Sequence, residues 1–137
     1  MQVLKDIIAY LRGGTSGLNE TEAALVSRVL SELPRDQAQK IREQIERIRL
    51  VQRPQPGRMT IIFHRQPLPL LENREYEACL AEVIYTDSSG RKKRVRLMLH
   101  SGYLQSIEGR FSVGAGEFRH STVSLWPGGR SRTAAAI

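Results

Sequence analysis

The chain has 137 residues, 21 Lys and Arg against 14 Asp and Glu, a formal net charge of +7 and a sequence pI near 10.2. That length suits one domain able to bury about two-thirds of its unfolded surface, so neither disulfides nor a metal is needed for folding. A single cysteine, Cys79, excludes an intramolecular disulfide, and no apolar run approaches the length of a bilayer span.

The first residues, MQVLKDIIAYLRGG, carry an acid at Asp6 and lack a sustained apolar core before a small-residue cleavage site, so no secretory signal is expected. Together with the unpaired thiol this points to a soluble, cytoplasmic protein with no membrane association. Val3, Leu4, Ile7, Ile8 and Leu11 recur at helical spacing and predict a first helix over residues 2–12, stopped by Gly13-Gly14. A second helix opens at Asn19, with Glu22 placed to complete a capping box and Val26, Val29, Leu30 and Leu33 as its apolar stripe. Pro34 introduces a third, expected over residues 35–50, with Ala38, Ile41, Ile45 and Ile48 as a narrow seam. Asp36–Lys40 and Glu43–Arg47 form i, i+4 pairs on its wet side. Gln52-Arg53-Pro54-Gln55-Pro56-Gly57 then reads as a linker between a helical and a sheet half, because prolines push the residues before them out of the α region.

The rest of the chain alternates. A strand is expected over residues 58–64. Gln66-Pro67-Leu68-Pro69-Leu70 reads as an extended crossing loop, since two prolines remove ladder donors. A second strand over residues 76–86 meets a third through Asp87-Ser88-Ser89-Gly90-Arg91, where Gly90 in the left-handed region makes a three-residue hairpin loop. That turn fixes a register: Tyr85 opposite Lys93, Val83 opposite Val95, Ala81 opposite Leu97, Cys79 opposite Leu99, and Glu82 opposite Arg96. Ser101-Gly102 reverses the chain into a strand over residues 103–108, and residues 122–126 read as a short edge strand. The expected fold is α+β: two or three N-terminal helices packed on one face of a four- or five-stranded antiparallel sheet ordered largely as a meander. Residues 1–127 form one domain, with the helical part over 1–51, the sheet part over 58–127, and 128–137 a flexible tail.

Candidate chemistry is sparse. His64, His100 and His120 lack the spacing that would aim two imidazoles at one metal, so no metal or other cofactor is expected. His100 with Glu108 is the best acid–base pairing for a small enzyme; the expected register puts Cys79 on the apolar face, where a thiol is inert. The run Arg91-Lys92-Lys93-Arg94-Val95-Arg96 concentrates five positive charges and puts Lys92, Arg94, Arg96 and Met98 on one side of a strand. Such a strand could follow a phosphate backbone, although Tyr103 is the one aromatic expected beside it. A sheet face with mixed Arg, Met and Tyr chemistry equally suits a protein partner.

The phrase His100-Ser101-Gly102-Tyr103-Leu104-Gln105-Ser106-Ile107-Glu108 resembles a strand–turn–strand phrase of small bacterial proteins of uncharacterised function, some of them polymorphic-toxin immunity proteins. The resemblance spans nine residues. It implies an immunity-type inhibitor that binds a protein such as a toxin. Joined to the sheet-face reading, the expectation is a non-enzymatic interaction module with Arg94, Arg96, Met98 and Tyr103 as its partner-binding residues. A nucleic-acid binder using the basic strand is the alternative, and the His100/Glu108 enzyme a third.

Overall fold

The computed structural model describes residues 14–111 and 118–125. The helix expected over residues 2–12, the glycine-rich stretch 112–117, Trp126 and the tail 128–137 lie outside the described residues. Within them the chain is an α+β fold of two helices and six strands: α1 (Glu20–Leu30), α2 (Arg35–Glu46), β1 (Ile48–Gln55), β2 (Met59–His64), β3 (Ala78–Thr86), β4 (Lys92–His100), β5 (Tyr103–Gly109) and β6 (Thr122–Leu125).

Helix α1 starts as its sequence dictates. The Asn19 side chain accepts from the Glu22 N–H, and the Glu22 carboxylate accepts from the Asn19 N–H, each at 2.8 Å. Helix α2 begins after Pro34 and ends at Arg47, shorter than expected. Ile48 continues the helical spacing of Ile41 and Ile45, yet it belongs to β1, which pairs antiparallel with β2 from Ile48 opposite His64 to Gln55 opposite Met59. The expected linker is therefore the end of a strand and a tight turn, with Gly57 at φ 78°. The boundary between helical and sheet parts falls at Arg47, not in the proline segment. Pro54 is tolerated because β1 is an edge strand, where a missing donor costs no ladder bond.

The strand order is β1-β2-β5-β4-β3-β6, with every neighbouring pair antiparallel. The β3–β4–β5 meander is as expected, but β2 pairs with β5 rather than β3, and β6 covers the far side of β3. Residues 65–77 cross between these hairpins. Leu71 pins that crossing, buried in the core and donating its N–H to the Gly102 carbonyl at 2.9 Å.

The β3–β4 register holds from Thr86 opposite Lys92 to Ala81 opposite Leu97, then slips. A bulge leaves Leu80 unpaired, so Ala78 stands opposite Leu99 and Cys79 opposite Met98. The expectation that Cys79 faces Leu99 is corrected: the slip moves the thiol to the other side of the sheet. On the helix-covered side, Val51, Ile62, Val83, Val95, Leu97 and Ile107 pack with Leu25, Val26, Val29 and Ile41 of the helices.

Two glycines are required by geometry. Ser101 and Gly102, at φ 48° and 92°, make the mirror-image turn that joins β4 to β5, and a Cβ on Gly102 would lie 3.0 Å from the Leu71 carbonyl oxygen. At Gly109, φ 137°, a Cβ would fall 2.2 Å from the Arg94 carbonyl oxygen.

Candidate functional site

Because side chains alternate along β4 without interruption, Lys92, Arg94, Arg96, Met98 and His100 share the sheet face opposite the helices. Register adds their neighbours. Glu82 of β3 and Glu108 of β5 flank Arg96; Cys79 and Ser106 flank Met98; Tyr103 lies opposite His100. On β2, Met59 stands beside Glu108 and Ile61 beside Ser106. All four residues expected to bind a partner, Arg94, Arg96, Met98 and Tyr103, therefore lie on this one face, in sequence order from its basic end to its aromatic end. No described helix covers it.

The electrostatics at the centre are specific. Glu82 is buried, and its two oxygens lie 3.8 Å from Nη1 of Arg94 and 3.7 Å from Nε of Arg96. These separations exceed the 2.7–2.9 Å typical of a charge-assisted hydrogen bond. The two arginine side chains are 69% and 55% exposed, and neither guanidinium donates a hydrogen bond to another described residue. Their donors thus point at solvent, steered by a carboxylate that does not consume them.

At the other end of the face an aromatic row forms. Tyr103 meets His64 and His100 edge-on, each at 5.4 Å between ring centroids, and His100 meets Tyr76 at 4.4 Å. Tyr76 is 75% exposed, the one large apolar side chain so exposed among the described residues. Burial raises the Tyr103 phenol above its ordinary value, with the nearby Tyr76 phenol adding to it. Both ring nitrogens of His64 are buried with no hydrogen-bond partner, and burial lowers its pKa to about 4, so the ring is neutral at pH 7.

The expected acid–base pair is not assembled. Glu108 stands in the Arg96 row, four residues from His100 along β4, or about 13 Å at strand rise. Hydrogen-bond reach is a quarter of that. His120 lies on the exposed turn before β6, away from both other histidines. Cys79 is inert for a reason different from the expected one: it sits on the open face but is buried there, donates to the Ala81 carbonyl at 3.4 Å, and burial pushes its pKa to about 12. Among the described residues no group of three or more His, Cys, Asp and Glu could hold a metal ion, and no helix is long and apolar enough to cross a membrane.

Two polar constellations escape a reading by sequence pattern. The Glu22 carboxylate is fully buried and accepts from Arg53 Nε at 3.0 Å, Arg53 Nη2 at 2.6 Å and Thr60 Oγ1 at 2.5 Å, as well as from Asn19. Burial alone would raise its pKa; the hydrogen bonds from Arg53, Thr60 and Asn19 outweigh that and hold it below the ordinary value. The capping box hinted at Glu22, but Arg53 looked like part of a linker. Gln44, also fully buried, donates to the carbonyls of Pro69 at 2.7 Å and Gly102 at 3.1 Å and accepts from the Leu104 N–H at 2.9 Å. It ties α2 to both the crossing segment and the β4–β5 turn. Its signal was a polar residue three positions after Ile41, on the seam itself.

No family model, no curated protein and no solved structure matches the chain.

Proposed function

We propose that the protein is a non-enzymatic interaction module that binds a protein partner through its open sheet face, in the manner of an immunity-type inhibitor. One observation supports this above the others. The face combines half-buried apolar side chains, Met59, Ile61, Ile84 and Met98, with two exposed arginines whose donors are unspent and a tyrosine at its end. Apolar centres rimmed by Arg and Tyr are the composition of protein interfaces. A reaction has less support, since His100 and Glu108 are far apart and the Cys79 thiol is protonated.

The test is a photo-crosslinking residue placed at Met98 and, as a control, at the exposed Ser27 of α1, in cells of the native host. A protein adduct at Met98, absent at Ser27 and lost in an Arg94→Glu/Arg96→Glu background, is the expected result. Equal labelling at both positions, or indifference to the charge reversals, would refute the reading.

Binding of a nucleic acid is favoured by the row Tyr76, His100 and Tyr103, which could stack a base while Arg94 and Arg96 meet phosphates. Against it stand Glu82 and Glu108, which flank Arg96 on both sides and break the positive stripe. If that alternative were correct, an electrophoretic shift at low salt would vanish steeply as salt rises.

A further inference from the structure

Resting on the reading of the open face as a protein-binding surface, we infer that its partner presents a segment acidic at one end and apolar or aromatic at the other, laid along β4 with its acidic end on Arg94 and Arg96. The face is ordered along one strand. From Lys92 through Arg94 and Arg96 to Met98 and His100 it passes from cationic to apolar to aromatic over about 26 Å, at roughly 3.3 Å per residue. A ligand of uniform character would satisfy only part of that length.

The cationic end calls for carboxylates. Arg94 and Arg96 are two residues apart on one strand, so their backbones are about 6.6 Å apart, the repeat of same-side residues on an extended partner, and both side chains reach toward the one Glu82 carboxylate. Each has an exposed side and unspent donors, and Glu82 behind them fixes where the two heads lie without occupying their hydrogen bonds. A planar guanidinium can meet a carboxylate with two parallel N–H···O bonds. A continuous phosphate backbone fits less well. It would pass over Glu108 in the Arg96 row and then over Met98 and Ile61 in the next, where nothing offsets its charge.

The apolar end has its own receptors. Met98 lies opposite Cys79 and Ser106, and Ile61 is the next neighbour in that row. Beyond them Tyr76, packed edge-on against His100, offers an exposed ring already braced on one side, so an incoming apolar side chain meets a ring with less rotamer freedom to lose.

The experiment uses the full chain labelled with nitrogen-15 and three probes: a short peptide with glutamates in its first half and leucine and phenylalanine in its second, a twin with lysine for every glutamate, and oligouridylate. Amide shifts on titration with the acidic peptide are expected at Arg94, Arg96, Met98 and Ser106. A nitroxide on its acidic end should broaden Arg94 and Arg96 more than His100. The lysine twin should bind at least about ten-fold more weakly, and Arg94→Gln/Arg96→Gln should erase that preference. Both arginines are exposed, so this variant is expected to fold. Equal binding of the two peptides on this face, or the nitroxide near His100, would overturn the polarity and leave the protein-binding reading standing. Shifts confined to the helical side, or no binding by either peptide, would overturn both. Oligouridylate binding across Arg94 and Arg96 more tightly than the acidic peptide would assign the face to nucleic acid and also overturn both.

Discussion

Among the described residues two buried carboxylates, Glu22 and Glu82, face arginine, and the difference between them separates what holds the fold together from what the fold offers. Glu22 meets Arg53 with both oxygens, at 2.6 and 3.0 Å, inside a shell completed by Thr60 and Asn19. Every oxygen is engaged, and Arg53 donates onward to Thr15 Oγ1 at 2.8 Å. Glu82 meets two arginines at 3.7 and 3.8 Å, with both heads mostly in water. The first pair links α1, β1 and β2 and engages four of the five Arg53 N–H groups within the fold. The second links only adjacent strands that already pair through their backbones, and leaves its donors free.

The largest expected effect comes from breaking the first pair. Arg53→Ala leaves the buried Glu22 charge without its counter-ion, and removing one partner of a buried pair costs about 3–5 kcal/mol. Urea unfolding should show a loss of that size with an unchanged slope. A loss below about 1 kcal/mol would mean that Thr60 and Asn19 suffice for Glu22, and the contrast between the two sites would collapse.

The next effect is on acid stability. His64 has a folded pKa of about 4 against 6.5 for the free side chain, so the unfolded chain binds a proton that the folded one refuses. Its neutral burial stabilises the fold fully above pH 6.5, and that contribution is lost as pH falls from 6.5 towards 4. Glu22 acts lower. Its folded pKa is below the ordinary 4.5, so its contribution is complete above that value and is lost as pH falls through the folded pKa. His64→Phe keeps a ring against Tyr103 and removes the titration. The unfolding midpoint of this variant should change little between pH 6.5 and 5, where the parent falls. An unchanged slope would place the acid sensitivity elsewhere.

How much of this could be read from the sequence follows from how local each feature is. The Asn19–Glu22 capping box and the Asp87–Arg91 turn are short-range, and both form as their spacing demands. In the turn, the Asp87 carboxylate accepts from the Ser89 hydroxyl and the N–H groups of Ser89 and Arg91. Arg94, Arg96 and Met98 were placed on one face by period-two alternation, which β4 keeps throughout. Alternation failed at Ala78-Cys79-Leu80-Ala81, where four successive small or apolar residues have no polar beat to mark a bulge, so Cys79 changed sides unannounced. It failed again at β1, because Ile48 fits helical and strand spacing equally and Pro54 argues against a strand until its edge position is known. The Glu22–Arg53 pair and the β2–β5 pairing join residues 31 and 45–49 positions apart, too far for any local pattern to contain both ends.

A smaller effect is expected at the second carboxylate. Glu82→Gln removes the charge that steers Arg94 and Arg96, but the arginines keep their water, so stability should change by about 1 kcal/mol or less. Thermal unfolding would detect more. A loss matching that of Arg53→Ala would show Glu82 to be structural, contrary to its long separations.

The smallest effect should come from the arginines themselves. Each stands more than half in solvent and is held by one loose contact, and exposed pairs of this kind contribute a few tenths of a kcal/mol, screened further by salt. Arg94→Gln/Arg96→Gln should therefore unfold within about 0.5 kcal/mol of the parent, despite removing two of the charges behind the formal +7. Glu82 would then be the buried group with most to lose, as its carboxylate would depend on the amides of the new glutamines and on water. If the double variant were destabilised by several kcal/mol, the arginines would be compensating for Glu82 burial, and their availability to a partner would be bought at the expense of the sheet. If stability is unchanged while partner cross-linking at Met98 is lost, these two side chains are dispensable to the fold and committed to binding.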